Sequence, residues 1–445
     1  MLVAERVYTA NCASCHGQQM AAFVDRKWKY GKEPDSIRHS ILVGYPDAGM
    51  PGWEAGLAAY QVDALVKYIQ QGIENVEKYG FQEEKLASDT ILTEDYVIVL
   101  DTVFSGIENP MDMTWLPNGD MLVTDRSGDF YRVDGTGTSN AISGVPPVVN
   151  ANQDGLFDVL LHPDFEENGY LYLSYSVPGT GEGKKPTTTK VTRFLYSNDQ
   201  LSDPLDIIEA TPYSSKHVHF GARMVFDDAG YLYLTVGDRG ARDVNPQDLS
   251  KYAGKIHRLN DDGSIPTDNP FVAIDTAIAS IYSYGHRNPQ GLIIHPETKT
   301  MWSHEHGPRG GDELNIIERG VNYGWPVISY GINYNGTTFT TDLEKEGMEQ
   351  PVLYWVPSIA PSGMAFVMGD KYPNWEGDLM VGSLRYKYLN RCVMDGNEIV
   401  REEPLLKNVG RLRNVELGPD GYLYIGVEKP GYVFRLVPIG GSVGT

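Results

Sequence analysis

Two stretches of the chain carry more reactive groups than ordinary turns do. The first runs from Ile281 to Trp325, IYSYGHRNPQGLIIHPETKTMWSHEHGPRGGDELNIIERGVNYGW. In it, His286, Arg287 and Asn288 crowd together ahead of Pro289. His304, Glu305, His306, Arg309, Asp312 and Glu313 then follow a short apolar run. Gly and Pro punctuate both clusters, which predicts loops at strand ends. Loops held on a rigid scaffold are where binding and catalytic groups usually sit. The second stretch is Cys12-Ala13-Ser14-Cys15-His16. Cys-x-x-Cys-His is the covalent attachment signature of c-type haem. Two thiols add across the vinyl groups of one macrocycle, and the adjacent histidine reaches the iron from one face. A zinc half-site or a redox Cys-x-x-Cys competes with this reading. No second ligand pair follows, however, and His16 is immediate.

A sixth iron ligand must come from the opposite face. Met50, on the stiff loop Gly49-Met50-Pro51-Gly52-Trp53, is the expected one. Met20 lies too close to His16 to cross the ring, and His39 is the rival. A methionine ligand raises the potential and suits electron transfer. Val62, Leu65, Val66, Ile69, Ile73 and Val76 then mark one buried helix face. Together these features make residues 1–78 similar to a class I cytochrome c domain. Residues 79–95 are polar and mixed, and read as a linker.

The totals constrain the rest. A chain of 445 residues exceeds one ordinary core, so two domains are expected. Glycine (48) and tyrosine (28) are abundant and long helical periodicity is rare, which leans towards an all-β body. The net charge of -22 disfavours nucleic acid and anionic membranes as partners. No apolar run is long enough to span a bilayer. Met1 to Ala10 lacks the basic start and apolar stretch of a secretory leader. Three cysteines make no disulfide framework, and Cys392 reads as a buried or half-buried thiol.

From Tyr96 onward an apolar strand, a Pro or Asp turn and a second strand recur. The copies begin near Met111, Leu156, Arg223, Gly291, Gly363 and Val415. Each is too small to bury its own face, so the copies must stack. Radial stacking of four-stranded blades leaves few exposed edges. The expectation is a small all-α cytochrome domain followed by a six-bladed β-propeller over residues 96–445. The ring would close by pairing Tyr96–Val103 with Tyr432–Pro438.

These residues carry a family resemblance. Gln153-Asp154-Gly155-Leu156, His219-Phe220-Gly221-Ala222-Arg223, Val236-Gly237-Asp238-Arg239-Gly240, Asn322-Tyr323-Gly324-Trp325-Pro326, Pro357–Ser362 and Arg411-Leu412-Arg413 occur in order with the two clusters above. Residues 97–440 thus resemble the soluble aldose sugar dehydrogenases that use pyrroloquinoline quinone (PQQ), the glucose/sorbosone dehydrogenase family. The resemblance implies His219 as general base, Asp238 as its orienting acid and Arg287 as the cation beside developing charge. A neutral imidazole suits proton abstraction near pH 7, although His217 competes with His219 on sequence alone. It implies Gln153, Asn288 and His306 as polar contacts of cofactor or substrate. Arg385, Arg411 and Arg413 would clamp the cofactor carboxylates, which guanidinium forks suit. Ser358 and Glu428 would neighbour its ring. Arg385 departs from the lysine of the best-known glucose dehydrogenases. Calcium is implied through the carbonyls of Gly307 and Pro308, with Glu313 and Tyr323 at a second, structural calcium.

The implied function is oxidation of the anomeric C1 hydroxyl of aldoses to lactones, with hydride passing to PQQ. Electrons would continue to the tethered haem c, which the linker keeps at high effective concentration. An external acceptor, such as a cytochrome or copper protein, would take them onward. Haem attachment and quinone use together suggest a periplasmic or secreted protein. Three alternatives stand beside this. One is a glycan- or protein-binding propeller with a haem sensor. Another is a PQQ dehydrogenase of non-sugar alcohols or aldehydes. The third is a haem-nitrite reductase, which six repeats instead of eight disfavour.

Overall fold

The structure is a computed structural model that describes residues 2–12, 28, 30–45, 50–72, 89–180, 185–428 and 431–439. The N-terminal unit holds helices α1 (Leu2–Asn11), α2 (Pro34–Val43) and α3 (Ala59–Gln70). They share one core of Ala4, Val7, Tyr8, Ile37, Ile41, Val62, Leu65, Val66, Tyr68 and Ile69, against which Cys12 and Trp53 pack. The expected face Val62, Leu65, Val66 and Ile69 is therefore buried, while Ile73 and Val76 lie outside the described residues. Cys15, His16 and Met20 also lie outside them.

Six antiparallel sheets follow. Each repeat anticipated from the sequence supplies the first two strands of one sheet. In the first, Pro110–Trp115 pairs with Met121–Asp125 across the turn at Asn118-Gly119. Gly119 takes φ +89 there, a left-handed turn that glycine adopts without strain. The six inner strands are Pro110–Trp115, Leu156–Leu161, Gly221–Phe226, Pro289–Ile294, Pro361–Phe366 and Arg411–Leu417. They pack in a closed ring around an axis. The fold is a six-bladed propeller. Val97–Ser105 pairs with Tyr432–Ile439 and closes the last blade. One expectation needs correction. Thr90–Leu92 falls in the stretch read as a linker, yet it pairs with Val97–Val99 as a fifth strand of that blade. Its Thr-Ile-Leu sequence is strand-prone, and the outer edge of the blade was open to receive it.

Every inner strand is bulged at its start. The register slips at Pro110/Asp112, Leu156/Asp158, Gly221/Met224, Pro289/Gly291, Pro361/Met364 and Leu412/Asn414. A bulge re-aims side chains and ends pairing locally. Here it turns Met111, Phe157, Arg223, Gln290 and Arg413 towards one cavity at the same end of the axis. Below that cavity a polar plug crosses the axis. The Arg223 guanidinium holds Asp112 at 2.9 Å and Asp158 at 2.8 Å, and bonds the carbonyls of Met111 and Gln290. Cys392 is fully buried between blades, as its sequence context suggested.

Candidate active site

The cavity has a volume of about 460 Å³. Gln153, Asn288, His306, Arg385, Arg411 and Arg413, all picked out in the sequence, line it together. They come from separate blades, Arg411 and Arg413 on an inner strand and the others on loops, so no local pattern could have united them. Phe157 and Phe220 form an apolar part of the lining, with ring centroids 5.2 Å apart.

His219, Asp238 and Arg287 are not in the lining, but His219 adjoins the lining residue Phe220, and it forms a pair with Asp238. His219 Nδ1 lies 2.7 Å from Asp238 Oδ1. The other carboxylate oxygen accepts the indole N–H of Trp325 at 2.9 Å, and Gly240 N adds a bond to Oδ1 at 2.7 Å. Burial alone would raise the Asp238 pKa. The bonds and charges of His219 and Arg287 outweigh it and hold the acid below its ordinary value. An ionised Asp238 makes Nδ1 the protonated nitrogen of His219, which leaves Nε2 with its lone pair. Burial, then the charge of Arg287, hold the His219 pKa below the ordinary histidine value. The ring is thus neutral and basic at Nε2. Its backbone takes φ +54, and its N–H donates to Gln153 Oε1 at 2.8 Å. Gln153 accordingly fixes the backbone of His219 as well as lining the cavity.

His217 proves to be a second histidine of the same kind. It sits 2.7 Å from Asp154, fully buried, and does not line the cavity. Arg287 donates to the carbonyl of His306 at 2.8 Å and lies over the Trp325 ring at 5.4 Å. Glu305 holds its position by accepting the backbone N–H groups of Arg287 and Asn288 and facing His286 Nδ1 at 3.1 Å. His306 donates from Nε2 to Pro361 O at 2.7 Å, and burial keeps its pKa well below the ordinary value.

Arg411 and Arg413 share Glu428, at 2.9 Å and 2.6 Å. Arg385 has no carboxylate partner among the described residues. Ser358 and Glu428 stand behind the lining. The Ser358 hydroxyl donates to Asp312 at 2.6 Å. Asp312 also accepts Gly307 N and Ala360 N, and its pKa rises to about 6 through burial. That web sets the Gly307-Pro308 turn, where a Cβ on Gly307 would strike the Gly311 carbonyl. Glu313 and Tyr323 lie away from the cavity. Glu313 is half-buried and pairs across strands with Glu305, and desolvation, then the Glu305 charge, push its pKa well up. The Tyr323 hydroxyl donates to Ile316 O at 2.6 Å, and its ring stacks on His286. Trp325 and Asp312 carry roles the sequence reading did not assign, although both lie in motifs it singled out.

The family model for glucose/sorbosone dehydrogenases matches residues 107–435. The chain belongs to that family. A second model, cytochrome c oxidase, cbb3-type, subunit III, matches residues 2–69, so the N-terminal unit is a cytochrome c domain. Aldose sugar dehydrogenase YliI of Escherichia coli is 41% identical over 338 residues, 75% of this chain and 91% of the relative. The apo-form soluble aldose sugar dehydrogenase of E. coli superposes with a TM-score of 0.74 at 39% identity, covering 77% of this chain and 100% of its own. The PQQ-bound aldose sugar dehydrogenase of Streptomyces coelicolor gives 0.64 at 27% identity, covering 78% and 99%. Each of these matches covers about three quarters of the chain, which leaves the cytochrome domain as an addition to the family's propeller.

The donor set fits the family's cofactor class. The cavity offers an aromatic patch for a flat ring. Its guanidinium groups outnumber the carboxylates that answer them, which suits a polycarboxylate. For calcium, no cluster of three or more His, Cys, Asp or Glu side chains exists among the described residues. Any such ion would rest mainly on carbonyls, which calcium accepts.

Proposed function

We propose that the chain oxidises the anomeric C1 hydroxyl of aldose sugars to lactones at the propeller cavity and passes the electrons to haem c on its N-terminal domain. The observation that carries this reading is the His219–Asp238 pair, with His219 held by Gln153 and next in the chain to Phe220, two lining residues of an arginine-lined cavity. A substrate hydroxyl within reach of His219 Nε2 loses its proton there, and Asp238 stabilises the resulting imidazolium. Arg287 stands where negative charge gathers on the substrate oxygen. PQQ, when bound, would supply the two-electron oxidising capacity for C1. Arg385, Arg411 and Arg413 would hold its carboxylates, while Gln153, Asn288 and His306 would fix the ring and substrate. The Gly307 and Pro308 carbonyls would hold calcium beside it, as a Lewis acid. The adjacent Glu305 and Glu313 carboxylates, paired across strands, support a second cation near Glu313 and Tyr323.

In the cytochrome domain, Cys12 and Cys15 would attach haem, with His16 and Met50 as axial ligands. The Met50 backbone pairs with that of Tyr45, at 2.8 Å and 3.1 Å, and the rival His39 is exposed on α2. No helix among the described residues is long and apolar enough to cross a membrane. A periplasmic or secreted site with a cytochrome or copper protein as onward acceptor fits this chemistry.

Titrating apo-protein with PQQ and calcium should show saturable binding, and the loaded protein should turn over aldoses with a soluble dye as acceptor. Binding without turnover of any aldose would exclude sugars as substrates. An absence of binding would overturn the enzyme reading. Asp238→Asn should bind PQQ normally yet lose about a hundredfold or more in kcat/KM, because the histidine loses its orienting acceptor. Steady-state kinetics beside a PQQ titration checks both halves of that expectation.

A further inference from the structure

The positive charge around the cavity is answered unevenly. Arg223 rests on Asp112 and Asp158, and Arg411 and Arg413 share Glu428. Arg126 also lines the cavity, and it has no carboxylate partner among the described residues. The neighbouring Asp125 is committed elsewhere, because its carboxylate accepts the backbone N–H groups of Glu108, Asn109 and Ser127 at 2.9, 3.0 and 2.8 Å. The guanidinium of Arg126 makes a single protein hydrogen bond among those residues, from Nη1 to the Asn152 carbonyl at 3.1 Å. Its Nε is buried without a partner.

The placement is built. A Cβ at Gly155 would lie 2.3 Å from Arg126 Cγ, so the stem of Arg126 occupies the room that this glycine leaves. Its backbone is bonded on both sides, N to Asn109 O and O to Leu156 N. Arg126, Asn152 and Gln153 line the cavity together, and Gln153 holds the backbone of His219. The cation therefore stands beside Gln153, the residue that holds the His219 backbone. A half-buried guanidinium whose Nε is buried and unbonded suits an anion with paired acceptor oxygens.

We propose that Arg126 is a carboxylate-binding residue of this cavity, engaging either a carboxylate of the bound quinone or the carboxylate of an acidic aldose such as a hexuronate. This rests on the dehydrogenase reading above. The test uses the full-length haem protein with Arg126→Gln and Arg126→Met, which remove the charge, and Arg126→Lys, which keeps it. Two quantities are measured: the dissociation constant of PQQ by equilibrium titration, and the ratio of kcat/KM for a hexuronate to that for its parent hexose. If the carboxylate belongs to the cofactor, PQQ affinity falls tenfold or more in both neutral variants and the substrate ratio is unchanged. If it belongs to the substrate, PQQ affinity is kept and the ratio falls tenfold or more. In either case Arg126→Lys recovers most of the loss. Neutral variants that match the wild type in both quantities overturn the assignment while the dehydrogenase stands. A wild-type protein that binds no PQQ overturns both readings together.

Discussion

Replacing His219 with glutamine should lower kcat/KM for aldose oxidation by about 10²–10⁴-fold, the range that a positioned general base contributes. PQQ affinity should change little, because the arginines of the cavity remain. The effect is large because the base has no substitute. His217, the other histidine of the segment, is turned onto Asp154 and fully buried. The pH profile gives a second check. Burial and Arg287 hold the His219 pKa below the ordinary histidine value. The unprotonated ring is the active form, so activity falls as pH drops. The fall should begin only below about pH 6.5, the unperturbed histidine value. Arg287→Gln removes one of the influences that lower the pKa, so the acid limb should move to higher pH in that variant. A limb that stays in place would show that another group governs it.

The second large effect concerns stability. Arg223→Leu should destabilise the propeller by about 3–5 kcal/mol, the usual cost of stranding buried charge. Asp112 and Asp158 would lose their shared cation in the closed centre of the ring. Burial already raises the pKa of Asp112, and it raises that of nearby Glu416 to about 8. Without Arg223 these folded-state values rise further. A carboxyl whose folded pKa lies above its unfolded one costs stability as pH rises through that range. The deficit of the variant should therefore be greater at pH 8 than at pH 5. Denaturant midpoints at the two pH values measure it, and equal deficits would contradict the account.

The propeller was legible because each repeat is a local event. An apolar run, a turn such as Leu116-Pro117-Asn118-Gly119 and a second run name two strands without reference to the rest of the chain. The added strand Thr90–Leu92 was not legible, because a three-residue edge strand is decided by the partner it meets. The same division holds at the site. The polar clusters around Asn288 and His306 announced themselves by composition. Trp325 did not, because its indole acts on an Asp238 that lies 87 positions away. Nor could composition separate His219 from His217, since each carries its own aspartate from a distant loop. Only the family motif favoured the former. Arg126, in Thr124-Asp125-Arg126-Ser127-Gly128-Asp129, reads as an ordinary turn until the fold brings it beside Gln153. Ser358 was anticipated near the cofactor ring, and its hydroxyl turns out to be bonded to Asp312.

The central claim is that a sugar oxidised in the propeller delivers its electrons to the haem of the same chain. Haem absorbance, followed anaerobically in the full-length protein as PQQ, calcium and aldose are added in turn, tests it most directly. The account predicts reduction of the haem only when all three are present, at a rate independent of protein concentration and lost in His219→Gln. A haem that stays oxidised while PQQ-loaded protein still passes electrons from aldose to a soluble dye would contradict it.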